Sequence, residues 1–115
     1  MPGTISWFEV LGRDGDKLRS FYGELFDWKF QTAPDMQGYG TVDPEQSKLP
    51  GGVGAAAEGT GWSTFYVHVE DVEQSIEQAL ASGGKLLMPV TRLPGATIAV
   101  IADPEGHPVG LSQDP

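Results

Sequence analysis

Residues 63–87 read STFYVHVEDVEQSIEQALASGGKLL, and this stretch decides the architecture. It opens with β-favouring residues whose side chains alternate, Thr64, Tyr66 and His68 on one face and Phe65, Val67 and Val69 on the other. Glu70-Asp71 ends the alternation, and from Val72 the apolar residues recur at Val72, Ile76, Ala79 and Leu80, the stripe of an amphipathic helix. Asp71 stands where an N-cap belongs, and Glu73 suits the positive end of the helix dipole. Gly83-Gly84 stops the helix and Lys85-Leu86-Leu87 resumes an extended run. The stretch is a strand, a helix and a strand.

The first half of the chain has the same pattern. A shift of 57 positions lays Ile5–Leu11 on Trp62–His68, Asp14 on Asp71, and the helix DGDKLRSFYGELF on DVEQSIEQALASG. It also lays Trp28-Lys29-Phe30 on Lys85-Leu86-Leu87, and Gly52-Val53-Gly54-Ala55 on Val109-Gly110-Leu111-Ser112. The repeat is one of pattern more than of letters. Its period is longer than a solenoid unit, and two copies imply a paired module with pseudo-twofold symmetry, over about 4–57 and 61–114.

Bulk composition narrows the function classes. A chain of 115 residues fits one domain and can bury a core without staples. With no cysteine there is no disulfide framework and no thiolate ligand or nucleophile. MPGTISWF has no basic stretch leading into an apolar run, and no apolar run approaches the ~20 residues of a membrane span. A soluble, cytoplasmic protein with no membrane partner is the expectation. A net charge of −9 argues against nucleic acid and leaves room for a cationic small molecule, although acidity also serves solubility alone.

Taken in order, Ile5–Leu11 reads as a strand and Gly12–Gly15 as a turn, with Asp14 or Asp16 capping a helix that runs to about Phe26. Trp28–Gln31 is extended, and Thr32–Gly38 is a loop suited to cover a pocket mouth. Tyr39–Val42 is a short strand, Asp43–Pro50 a polar connection and Gly51–Ala57 a strand of small residues. Beyond the central stretch, Leu86–Val90 and Ala96–Ala102 are strands, Asp103–Gly106 is a type I turn, and His107–Leu111 closes the sheet. Each half is thus strand, helix, strand, strand, strand. The fold class is α+β: two paired βαβββ modules whose helices cover one face of curved mixed sheets and whose other face lines a cleft.

FYGELFDW after the first helix, VEDV at the end of the fifth strand and DPEGHPVGL before the last strand carry a resemblance to the vicinal oxygen chelate superfamily. That superfamily includes glyoxalase I, extradiol dioxygenases and bleomycin-resistance proteins, and the resemblance spans essentially the whole chain. It implies a dimer, and in metal-dependent members one divalent ion held by the first, fourth, fifth and eighth strands. Carried over by position, those ligands fall on Trp7, Val53, Thr64 and Gly110, none of them a usual ligand for Zn, Ni, Fe or Mn. The resemblance therefore implies the fold without the metal chemistry, and no cofactor is expected.

Glu9 and His68 are the candidate catalytic pair, a carboxylate and an imidazole on cleft-facing strand positions. The plainer reading leaves His68 half solvated at a strand end and inactive. His107 follows a turn and reads as a solvated turn residue. Trp7, Trp62, Tyr66, Tyr39 and Met36 would suit stacking on a flat ligand or would plug the cleft as core; Phe21, Tyr22, Leu25, Phe26 and Trp28 read as packing. The candidate ligand-binding set is Trp7, Glu9, Val53, Thr64, Tyr66, His68 and Gly110. Gly51-Gly52-Val53-Gly54 lacks the Lys-Ser/Thr end of a phosphate loop. The expected function is binding of a small organic molecule, cationic or aromatic, by a metal-independent homodimer. A metal-independent isomerase or lyase using His68 and Glu9 is the alternative, and a metal-dependent lactoylglutathione lyase-type enzyme a further one.

Overall fold

The structure, a computed structural model, describes residues 3–32, 38–56 and 61–115. Along the chain these form β1 (Thr4–Gly12), α1 (Gly15–Phe26), β2 (Phe30–Thr32), β3 (Tyr39–Val42), α2 (Pro44–Ser47) and β4 (Gly51–Ala55). The order then repeats as β5 (Trp62–His68), α3 (Val72–Ala81), β6 (Lys85–Arg92), β7 (Thr97–Ala102) and β8 (Pro108–Gln113). The class is α+β, built from two βαβββ modules. No helix among the described residues is long and apolar enough to cross a membrane.

The chain divides into two compact units, residues 7–63 and residues 1–6 with 64–115. In the first unit the strand order is β2-β3-β4-β1, with β1 and β4 parallel and the other pairs antiparallel. In the second it is β5-β8-β7-β6, with β5 and β8 parallel and the rest antiparallel. A strand that is followed by a helix and two antiparallel strands returns beside itself in parallel in both units.

Local chemistry explains the element ends. Asp14 caps α1 by accepting the Lys17 amide at 3.0 Å, and Asp71 caps α3 by accepting the Gln74 amide at 3.2 Å. The Asp103–Gly106 turn closes with the Gly106 amide on the Asp103 carbonyl at 2.9 Å, Gly106 having φ +91°. The Asp103 carboxylate also accepts the amides of Glu105 and His107. That hydrogen bonding, the His107 amide first, lowers its pKa. His107 is exposed, its Nδ1 3.0 Å from Asp103 Oδ2. The connection expected over Asp43–Pro50 contains the short helix α2, begun by Asp43 as cap and Pro44 at its first turn.

In the second unit the core gathers Val72 and Ile76 of α3 against Ala99 of β7 and Leu111 of β8, with Val69, Val90 and Ile101 around them. The first unit packs differently. Phe21, Leu25 and Phe26, read as packing, are 57%, 59% and 52% exposed. The face of α1 that turns inward is instead Gly15, Leu18, Arg19, Tyr22 and Gly23. A Cβ at Gly15 would lie 2.7 Å from the Ala55 amide nitrogen and the Gly38 carbonyl oxygen, so glycine there lets the helix approach the strand backbone closely. Arg19 uses that closeness: its guanidinium donates to the Gly38 carbonyl, to the Val53 carbonyl at 3.1 Å and to Asp16. Phe26 and Trp28 then stack around Tyr22 beside the helix, outside the core.

Candidate functional site

Strand pairing in the first unit assigns the faces. Glu9 pairs with Gly52 and Gly52 with Thr41, which pairs in turn with Gln31, so these four share one face; Trp7, two residues before Glu9, and Tyr39, two before Thr41, share it too. Val10, Val53, Gly40 and Phe8 lie on the opposite face, toward α1. Val53 is fully buried there. The expectation that Val53 joins Trp7 and Glu9 in lining one face is therefore corrected: it lies one residue out of phase with them.

The polar centre of this face is Glu9, 9% exposed. Trp7 Nε1 donates to the Tyr39 hydroxyl at 2.9 Å, and that hydroxyl donates to Glu9 Oε1 at 3.2 Å. Trp62 Nε1 donates to the other carboxylate oxygen at 3.3 Å. A carboxylate is thus held from both sides by aromatic donors. The Tyr39 ring lies over Gly52, where any Cβ would collide with it; the missing side chain makes room for the ring. Sequence distance hid this network, since Trp62 lies 53 positions from Glu9 and Tyr39 lies 30. The alternation in each strand placed Trp7 and Glu9 together, but nothing local pointed Trp62 at the carboxylate.

Burial, and after it the negative charge of Glu9, pushes the Tyr39 phenol well above its ordinary value of 10.0; the hydrogen bond from Trp7 acts in the opposite sense. The phenol is therefore a fixed donor at neutral pH. Below pH 10 it is protonated in the folded and the unfolded chain alike, and its contribution to stability is fully present. Above that, the unfolded chain releases the proton while the folded chain keeps it. Stability should then fall by up to about 1.4 kcal/mol per pH unit from this group. Denaturant unfolding between pH 9 and 11 should show that slope reduced in Tyr39→Phe; equal slopes in both proteins would contradict it.

Beside the network, where β2 begins and β3 ends, the first unit holds a cavity of about 560 Å³. Among the described residues, Trp7, Gln31, Thr41 and Pro50 form part of its wall, Phe30 and Val42 another part, and Lys29, Asp43 and Pro44 a third. The volume lies in the range of small-molecule sites, about 300–1,000 Å³. Glu9 does not line it.

In the second unit, Thr64 and Tyr66 are buried on one face of β5 and His68 is half-buried. The Thr64 hydroxyl donates to the Pro108 carbonyl at 2.7 Å. The Tyr66 ring covers its strand partner Gly110, as the Tyr39 ring covers Gly52 in the first unit. His68 Nε2 stands 3.4 Å from Asp114 Oδ1. Met36 and most of the loop over Thr32–Gly38 lie outside the described residues.

The two ladders also show where the repeat slips. Val10 pairs with Val53, an offset of 43 (53 − 10), whereas Tyr66 pairs with Gly110, an offset of 44 (110 − 66). The counterpart of Gly110 is thus Gly52, the partner of Glu9, and not Val53 as the ungapped shift of 57 had it.

Among the described residues no three His, Cys, Asp or Glu side chains cluster to hold an ion.

Two modules of this topology, with aromatic rings over strand glycines and a polar centre on a sheet face, define a protein of the glyoxalase/bleomycin-resistance fold. The model of the glyoxalase-like domain matches residues 9–112, and the chain belongs to that family, within the vicinal oxygen chelate superfamily. It is similar to a glyoxylase-like domain-containing protein of Didymella fabae, 32% identical over 105 residues, covering 81% of this chain and 78% of that one. Among solved structures it resembles methylmalonyl-CoA epimerase from Mycobacterium tuberculosis, with a TM-score of 0.65 at 14% identity, covering 98% of this chain and 88% of that one. It also resembles a glyoxalase/bleomycin resistance protein/dioxygenase superfamily member from Vibrio splendidus 12B01, with a TM-score of 0.65 at 15% identity over 93% and 96% of the two chains. At these identities the structural likeness is one of fold.

Proposed function

We propose that this glyoxalase-like protein binds a small organic molecule without a resident metal. The observation that carries the reading is the 560 Å³ cavity with the Trp7 indole in its wall. At the position where metal-dependent relatives place their first ligand, this chain presents an aromatic plane suited to stacking. The indole is also oriented, because its Nε1 is tied to the Tyr39 hydroxyl. A pre-oriented ring loses little freedom when a ligand arrives.

Trp7→Ala should weaken binding about tenfold or more, the equivalent of about 1.4 kcal/mol for a stacked ring. Native mass spectrometry of protein purified without added ligand is the measurement. Retention of the same small molecule by the wild type and by Trp7→Ala to the same extent would overturn the reading. We also propose a homodimer in solution, which light scattering at tens of micromolar checks; a stable monomer would contradict it.

A second reading is supported by Glu9. A carboxylate fixed by two aromatic donors is oriented as a proton acceptor in a metal-independent isomerase would need to be. His68, the other group in that reading, faces Asp114. Both oxygens of Glu9 already accept hydrogen bonds, and Glu9 does not line the cavity; these two facts favour the binding reading.

A further inference from the structure

The wall of the cavity is charged. Among the described residues it carries one ammonium, Lys29, and one carboxylate, Asp43. The two are not equivalent. Asp43 Oδ1 accepts the Glu45 amide at 2.9 Å as the cap of α2. Lys29 is exposed and enters none of the ion pairs among the described residues, which are Arg19–Asp16, His68–Asp114 and His107–Asp103. Next to it in the wall are Gln31 and Thr41, direct strand partners that bring an amide and a hydroxyl side by side. An ammonium, an amide N–H and a hydroxyl are three donors matched to the oxygens of one carboxylate. Trp7, Phe30 and Val42 supply the apolar surface for whatever that carboxylate is attached to. The carboxylate of Glu9, which would favour a cation, is turned into its own network and is absent from the wall. In a chain of net charge −9, an organic anion gains a foothold only where a local cation offsets the general field.

We propose that the cavity takes an organic acid with a flat apolar body, its carboxylate on Lys29, Gln31 and Thr41 and its body against Trp7. This rests on the reading of the cavity as the ligand site, and it reverses the preference for a cation that composition alone suggests. Asp43 is then an opposing charge in the wall. Asparagine at 43 would remove that charge and keep the helix cap, since Asn caps as well as Asp.

Three probes of one shape separate the possibilities: 1-naphthoate, 1-naphthalenemethanol and 1-naphthylmethylammonium, titrated by calorimetry into the wild type, Lys29→Gln and Asp43→Asn. Naphthoate should bind about fivefold more tightly than the alcohol, as an exposed ion pair allows, and the ammonium compound most weakly. Lys29→Gln should erase the advantage of naphthoate, and Asp43→Asn should enlarge it. Tighter binding of the ammonium compound, or naphthoate affinity unchanged in Lys29→Gln, would overturn the inference. If the alcohol binds and charge makes no difference, the acid preference fails while the small-molecule reading stands. If none of the three binds, the proposal of a flat-bodied acid falls, and the small-molecule reading is decided by the Trp7→Ala retention experiment.

Discussion

Gly110→Glu is expected to destabilise the protein by about 3 kcal/mol or more, although the family resemblance implies glutamate here in metal-dependent members. The reason is the Tyr66 ring. Tyr66 and Gly110 are strand partners, and the ring covers the glycine so closely that a Cβ would enter it. Tyr66 is 5% exposed, so the ring cannot swing into solvent without uncovering the residues it packs on. A carboxylate introduced there would also lose its hydration. Removing the ring should relieve the clash. Tyr66→Ala alone costs stability by opening a cavity, yet the double variant Tyr66→Ala/Gly110→Glu should be less damaged than the sum of the two singles, by about 1 kcal/mol or more. Urea unfolding of the four proteins measures the coupling. Strict additivity would show that the ring is not what excludes a side chain at 110.

The second large effect belongs to Gly52→Ala, expected to cost about 2–3 kcal/mol. Here one methyl group meets the Tyr39 ring. Tyr39 must move, and with it the hydroxyl that accepts from Trp7 and donates to Glu9. The structural cost therefore carries a spectroscopic signature that simple overpacking lacks. Of the three tyrosines, Tyr22, Tyr39 and Tyr66, the wild type should hold Tyr39 un-ionised as an ultraviolet titration passes pH 10, whereas Gly52→Ala should let it ionise nearer its ordinary value. If Gly52→Ala loses stability but leaves the titration unchanged, the ring has another way to accommodate the methyl group, and the network does not depend on the glycine.

Much of the architecture was legible from local chemistry. Asp14 and Asp71 ahead of amphipathic runs located two helices, and alternation in STFYVHV separated the faces of β5, because caps and periodicity act within a few residues of chain. The DPEG turn was legible for the same reason. The short helix α2 was missed, yet its signal stood in the letters: Asp43 then Pro44 is a helix start.

Other features were not local, and for them the letters misled. Phe21 and Leu25 are more apolar than Arg19 and Gly23, so the apolar stripe of α1 turns Leu18 and Tyr22 inward, as they are, but brings Phe21 and Leu25 in with them, where they are exposed. Close approach at Gly15 and the Arg19 bonds to the Gly38 carbonyl, just before β3, and to the Val53 carbonyl of β4 hold the helix in that orientation. The slip from an offset of 43 to one of 44 is likewise set by how strands pair, and an ungapped repeat cannot reveal it.

By itself, then, the sequence determined the two modules, their helix starts and the family resemblance, since each depends on residue identity or near neighbours. Only the tertiary structure decided that Val53 faces α1, that Trp62 and Tyr39 grip Glu9, and that Lys29 stands in the wall of the cavity. Those outcomes depend on which strands pair and in what register, and register is settled by cross-strand side-chain contacts between residues far apart in the chain.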